Sequence, residues 1–397
     1  MKMRKYGIVG VIGLSLVLPA CGTSSGSGEA GSGNPIKIMT IATLKSDAYS
    51  APWVQTAVEA AVHGINADGG VGGRPIEALF CNDKFDPNEA TACAQRAVSE
   101  GVTAIIGGVT SSEAVMTPVL EAKHIPYIGP PGTDAKFEAT NAIYYPINGA
   151  GIAPMYGVGN LAVTRGGPNV VTAVSDYGTA RAAGELINEA VGAAHGHAST
   201  VIVPVNAADY APTAASILSK NPNGVALTGS STDMVRVIRA LRQAGYQGTI
   251  SSLSSVATAD AIQALGGSAE NLVLASRGLS ALDTDNPVIA EFNKEMKATD
   301  PNAVIDDIGL NSWMSVRLFA EAIKGKNITD GASVISALNE ITKPINQGGV
   351  YPDYPGIVNP APVARYPRVP VFQTIPTVIK NGKVVTDGGF YNPLDGK

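Results

Sequence analysis

Histidine is scarce in this chain of 397 residues: four are present, at 63, 124, 195 and 197. His63 falls in a helical pattern, and His124 and the His195-Gly-His197 turn precede strands. None stands at the carboxyl end of a strand, where open α/β sheets bind their ligands. A serine–histidine nucleophile and a histidine metal site therefore lack support, as does a Gly-x-Ser-x-Gly elbow, which is missing. No G-x-x-x-x-G-K-[ST] run exists to cradle a phosphate. Gly157-Val-Gly-Asn-Leu-Ala162 imitates a dinucleotide motif but lies inside a helical pattern instead of after a strand. Charge is also sparse, at 15% of residues, and the balance is −5. No basic stripe is present, which excludes nucleic acid and anionic headgroups as partners. No metal, cofactor or enzymatic activity is expected.

Long apolar runs are missing after the N-terminus. Lys2, Arg4 and Lys5 precede an apolar stretch, Gly7 to Leu18, too short to span a bilayer comfortably, so residues 1–20 read as a signal peptide. Their removal takes the net charge to −8. The stretch ends Leu18-Pro19-Ala20-Cys21, which resembles a bacterial lipobox and makes Cys21 the expected lipidation site; plain secretion with a free thiol is the alternative. Residues 21–35, small and polar, read as a flexible tether with a reach of roughly 20 Å. Cys81 and Cys93 are the other two cysteines. One strand–helix step separates them, so a disulfide is expected in an oxidising compartment, against two buried thiols.

What remains is too long for one small core and reads as two lobes. Strand and helix patterns alternate, the signature of parallel α/β layers. Strands are expected from Ile36 to Ala42, from Ile76 to Phe80, from Val102 to Ile106 and from Ile125 to Ile128. The Gly-rich run 148–151 marks a lobe boundary, and the rhythm restarts with strands at 169–175, 200–204, 224–228, 248–252 and 271–275. Helices are expected between them and at 308–324 and 330–341. Strands from Val371 to Ile379 and from Lys383 to Val385 form a closing hairpin around Asn381-Gly382.

The chemistry sits where strands hand over to helices. Unpaired backbone N–H groups at a helix start carry partial positive charge, and hydroxyls beside them make an anion site. Ser111 and Ser112 follow the third strand, and Thr133 follows the fourth. Together they are candidates to hold one carboxylate; singly, each is also a plain helix cap. Tyr177, Ser230 and Ser254 occupy comparable strand ends in the second half, and Tyr49 lies in the loop after the first strand.

Residues Ile65-Asn66-Ala67-Asp68-Gly69-Gly70 with Gly73, Asp83 with Asp86-Pro87, and Ile106-Gly107 with Ser111 carry a family likeness. They resemble the branched-chain amino-acid binding proteins of ABC importers, the type I periplasmic binding fold. Weaker likeness runs through Asp176-Tyr177-Gly178 and Leu241-Arg242-Gln243-Ala244-Gly245. The resemblance implies two doubly wound parallel-sheet lobes joined by a three-segment hinge: 36–149 with 278–371, and 150–277 with 372–397. It implies carboxylate-binding hydroxyls at Ser111 and Thr133, a carbonyl near Pro131 facing an ammonium, an aromatic wall at Tyr177, and a Cys81–Cys93 bridge. It also implies a monomeric receptor that hands a small solute to ABC permease subunits while anchored by lipid to the outer face of the cytoplasmic membrane; a sensor of the same fold is the alternative, and a serine hydrolase a weaker one. One departure bears on the ligand. The family's acid in the second lobe falls on Ser254, so either Asp176 or Asp209 faces an ammonium, or the ligand has no amine.

Overall fold

The computed structural model describes residues 33–47, 50–130 and 132–395. The signal peptide, Cys21, Tyr49 and Pro131 lie outside the described residues. Gly33 and Asn34, assigned to the tether by composition, are already tied to the body: the Gly33 N–H donates to the Gly73 carbonyl and Arg74 Nε to the Asn34 carbonyl.

The first half alternates as its hydrophobic periods dictate: β1 (Ile36–Ala42), α1 (Trp53–Ala67), β2 (Ile76–Asn82), α2 (Pro87–Ser99), β3 (Ala104–Ile106), α3 (Glu113–Glu121), β4 (Tyr127–Ile128), α4 (Ala135–Thr140) and β5 (Tyr144–Tyr145). The second half repeats the pattern: α5 (Ile152–Gly166), β6 (Asn169–Ser175), α6 (Gly178–Ala193), β7 (His197–Val203), α7 (Ala211–Leu218), β8 (Gly224–Thr228), α8 (Ser231–Gln243), β9 (Thr249–Leu253), α9 (Ala259–Leu265) and β10 (Val273–Ser276). Helices α10 (Pro287–Thr299), α11 (Asp307–Ala322) and α12 (Gly331–Asn339) precede the hairpin β11 (Ile375–Lys380) and β12 (Lys383–Thr386). Asn381 and Gly382 both take positive φ in its turn, as the primed hairpin turns require.

Two sheets result, ordered β2-β1-β3-β4-β5 and β12-β11-β10-β9-β8-β6-β7. All strands of the first are parallel. In the second, only the closing hairpin runs antiparallel. In each sheet the order reverses beside the first strand, between β1 and β3 and between β6 and β8. Loops part at that point and leave a crevice at the carboxyl ends. The chain passes between sheets three times: from β5 to α5, from β10 to α10, and through the segment before β11. Residues of that last segment touch both halves. Tyr366, Val369 and Phe372 pack with Tyr156 and Leu186, whereas Arg368 bonds the carbonyls of Ala139 and Tyr144.

The first core clusters β1, α1, α10 and α11 around Trp313. That indole is fully buried, meets Phe292 edge-on at 5.7 Å and donates to Glu295 at 2.7 Å. Burying a side chain of this size contributes about 1.5–3 kcal/mol. Two elements escape the sequence pattern. Strand β5 has two residues, too few to show a period. Helix α10 does carry a start signal, since Asn286 accepts from the Val288 and Ile289 N–H groups with Pro287 in the first turn.

Candidate functional site

Asp83 organises the first-lobe edge. It is fully buried after β2, and its carboxylate accepts from the Thr43 hydroxyl at 2.6 Å, from the Thr110 hydroxyl and from the Phe85 N–H at 3.0 Å. Three strand ends are tied to one acid. Cys81 and Cys93 form a disulfide beside it, joining the end of β2 to α2. Thr110 passes the order on by accepting the Ser112 N–H at 3.1 Å. Ser112 is then fixed as the buried N-cap of α3, though its own hydroxyl makes no capping bond. Ser111, in contrast, is exposed at the carboxyl end of β3, and among the described residues its side chain makes no hydrogen bond.

Thr133 stands next to this loop, its hydroxyl 2.6 Å from the Thr110 carbonyl and in contact with the Glu113 carboxyl. Asp134, not Thr133, caps α4 by accepting from the Phe137 N–H. Glu113 is the residue that composition hides: an acid in the first turn of a helix reads as a solvated partner of the dipole. It is buried instead, together with Glu138, neither of whose carboxyl oxygens has a hydrogen-bond partner among the described residues. Burial pushes Glu113 up to about 7, opposed by the Thr133 hydrogen bond and helped by Asp134. Burial and then the Glu113 charge push Glu138 up as well. One hydroxyl proton on Thr133 faces two acceptors. A protonated Glu113 resolves this by donating to Thr133 Oγ1 while Thr133 donates to the carbonyl.

The second-lobe edge is made of β6, β8, β9 and β10 ends. Tyr177 follows β6 at the N-cap of α6 and is 40% exposed. Ser230 caps α8, accepting from the Asp233 N–H at 3.5 Å. Ser254 is 3.3 Å from the Ser276 hydroxyl. Strand ends of the two sheets share walls in two places. Gly132 to Lys136 meet Met155 and the first turns of α6 around a recess of about 80 Å³. Ser254, Ser276 and Arg277 meet Asp307, Asn311 and Tyr351 around another of about 70 Å³. Lys136 and Glu185 pair across the gap at 3.0 Å. A larger open groove, about 800 Å³, lies on the first lobe between α11, α12 and residues 340–348. Three of its four cations, Arg317, Lys324 and Lys326, are already paired with Glu291, Glu321 and Glu340, and no strand end opens into it, so the interlobe gap is the better candidate.

The expected ammonium partners are otherwise engaged. Asp176 is ion-paired with Arg181, and Asp209 accepts the Ala211 N–H at 2.9 Å. Sequence reasoning missed Arg277, Asp307 and Asn311 because they lie at a crossover and at a helix start outside the alternating pattern. His63 is on α1, His124 and His195 occupy turns, and His197 begins β7. None is at the edge that carries Ser111. Among the described residues no cluster of acids, histidines and cysteines suits a metal, and no helix is long and apolar enough to cross a membrane.

Two α/β lobes with facing strand ends and hydroxyls around a shared gap define a two-lobed solute receptor of the type I periplasmic binding fold. A profile of the periplasmic binding proteins matches residues 35–354, and the chain belongs to that family. It is a binding protein, not an enzyme, of an extracytoplasmic family. The Leu/Ile/Val-binding protein of Escherichia coli K12 is 23% identical over 290 residues, 71% of this chain and 76% of that protein. An extracellular ligand-binding receptor from Verminephrobacter eiseniae superposes with a TM-score of 0.75 at 20% identity, over 88% of this chain and 99% of that one. A solute-binding protein of an ABC transporter from Rhodopseudomonas palustris, solved with 3,4-dihydroxybenzoic acid, superposes with 0.70 at 18% identity, over 90% and 98%.

Proposed function

We propose that this protein is the lipid-anchored receptor of an ABC importer, capturing a small carboxylate-bearing metabolite between its lobes and presenting it to permease subunits. The observation that carries the reading is the exposed hydroxyl of Ser111, unbonded among the described residues, just before α3, in the loop whose Thr110 meets Thr133 of the next strand end. A carboxylate there gains the Ser111 hydroxyl and the positive end of the helix, and each charge-assisted bond is worth about 1.5–3 kcal/mol. Tyr177, Ser230 and Ser254 reach the same ligand from the second lobe. Contacts made only when the lobes are together favour the closed state. Related proteins named for leucine, isoleucine and valine, or solved with an aromatic acid, support an acidic ligand with an apolar part. The engagement of Asp176 and Asp209 supports one without an amine.

Thermal-shift screening of the mature domain against amino acids, aromatic acids and short fatty acids identifies the ligand. Ser111→Ala is then expected to weaken binding about tenfold in calorimetry, with the melting temperature unchanged because the hydroxyl supports nothing in the fold. Equal affinity removes Ser111 from the site. Mass spectrometry of the N-terminal peptide tests the anchor: a diacylated Cys21 is expected, and a free thiol refutes it.

A further inference from the structure

We propose that Arg277 determines ligand specificity in the interlobe gap by selecting acids that carry a second anionic group. This rests on the ligand site proposed above and adds a residue and a substrate class to it. Eleven arginines lie among the described residues, and ten of them donate a hydrogen bond within the protein. Arg277 alone donates none and makes no ion pair. It is half-buried, so water does not fully replace the missing partners. A guanidinium offers five donors in a planar fork that matches a carboxylate, and a cation withdrawn from water without a partner is costly.

Its position explains what completes it. Arg277 is the first residue after β10, at the carboxyl end of the second sheet. Its guanidinium is pressed against the first lobe: a Cβ on Gly132 would fall 2.9 Å from Nη2 and 3.0 Å from Cζ. Gly132 adjoins Thr133, which touches Thr110, which adjoins Ser111. A short run of neighbours, Gly132, Thr133 and Thr110, therefore links the cation to the free hydroxyl, each of them at a strand end. Ser254 and Ser276 hydroxyls share the recess with the guanidinium. Glu138 and Asp307 feel its charge, but neither pairs with it, and the Asp307 carboxylate is held by the Ala281 N–H at 2.9 Å. A short diacid placing one carboxylate at Ser111 and the other at Arg277 satisfies both. An ammonium at the second position meets a like charge.

Calorimetry on the mature protein with matched probes tests this: monocarboxylates, dicarboxylates and ω-amino acids of three to eight carbons, with benzoate and the benzene dicarboxylates. The wild type is expected to bind at least one diacid tenfold or more tighter than its monoacid of equal length, and the amino acid weakest. Arg277→Gln is expected to erase that preference, so that each diacid binds within twofold of its monoacid, and Arg277→Lys to keep part of it. Monoacids preferred by the wild type, or a preference that survives Arg277→Gln, overturn the role of Arg277 and leave the receptor reading intact. Binding of no acid at all overturns both.

Discussion

The hydroxyl of Thr133 is shared between the Thr110 carbonyl, 2.6 Å away, and the buried carboxyl of Glu113. Burial raises Glu113 from 4.5 to about 7; the Thr133 hydrogen bond opposes the rise, and the Asp134 charge at the cap of α4 adds to it. An acid whose native pKa lies above its unfolded value binds more protons in the native state between the two. Its contribution is therefore complete below pH 4.5 and is lost as pH rises through about 7, on the order of 3 kcal/mol in all. Glu113→Gln, which keeps the neutral form, is expected to be nearly neutral at pH 4.5 and stabilising at pH 8. Urea titrations of both proteins across this range measure it; parallel curves refute a protonated Glu113.

Asp83 is the common acceptor for Thr43, Thr110 and the Phe85 N–H. Asp83→Ala leaves all three donors without it, two of them hydroxyls buried away from water. A loss of about 3 kcal/mol is expected, with Asp83→Asn losing less because one acceptor oxygen remains. Ligand affinity is expected to fall as well, since Thr110 positions the loop that carries Ser111. A variant as stable as the wild type sinks the account.

Much of this fold was legible from alternation alone. The strands at 169–175 and 224–228 agree with the observed β6 and β8, and the closing turn falls on Asn381-Gly382. Hydroxyls at the strand ends were legible because a strand, a Gly-rich turn and a helix start are local signals. Glu113 and Arg277 were not. Whether an acid in a first turn is solvated or buried is set by residues from later in the chain, here Thr133, whose hydroxyl meets the Glu113 carboxyl, and the equally buried Glu138. Arg277 is defined by what it lacks among the described residues, a hydrogen-bond or ion-pair partner, and a missing contact has no sequence signature. Asp176 and Asp209 each already have a nearby donor, the Arg181 side chain and the Ala211 N–H, a local pairing that alternation does not reveal.

Gly129, at the end of β4, offers a test of how α11 seats the loop that bears Thr133. Its φ is +64°, and a Cβ there would fall 1.8 Å from Ser315 Oγ and 2.7 Å from Ser315 Cβ. Ser315 cannot easily turn away, because its hydroxyl donates to the Asn311 carbonyl at 2.6 Å, while the Asn311 side chain donates to the Gly129 carbonyl at 3.0 Å. Gly129→Ala therefore incurs both left-handed backbone strain, about 1–2 kcal/mol, and overpacking, about 1–3 kcal/mol. Adding Ser315→Gly removes the clash but not the strain. A double-mutant cycle is expected to recover roughly half of the loss, with ligand affinity recovering in step as Thr133 returns to its place. No recovery would mean that backbone strain alone governs position 129, and that the close approach of α11 does not set the geometry of the loop.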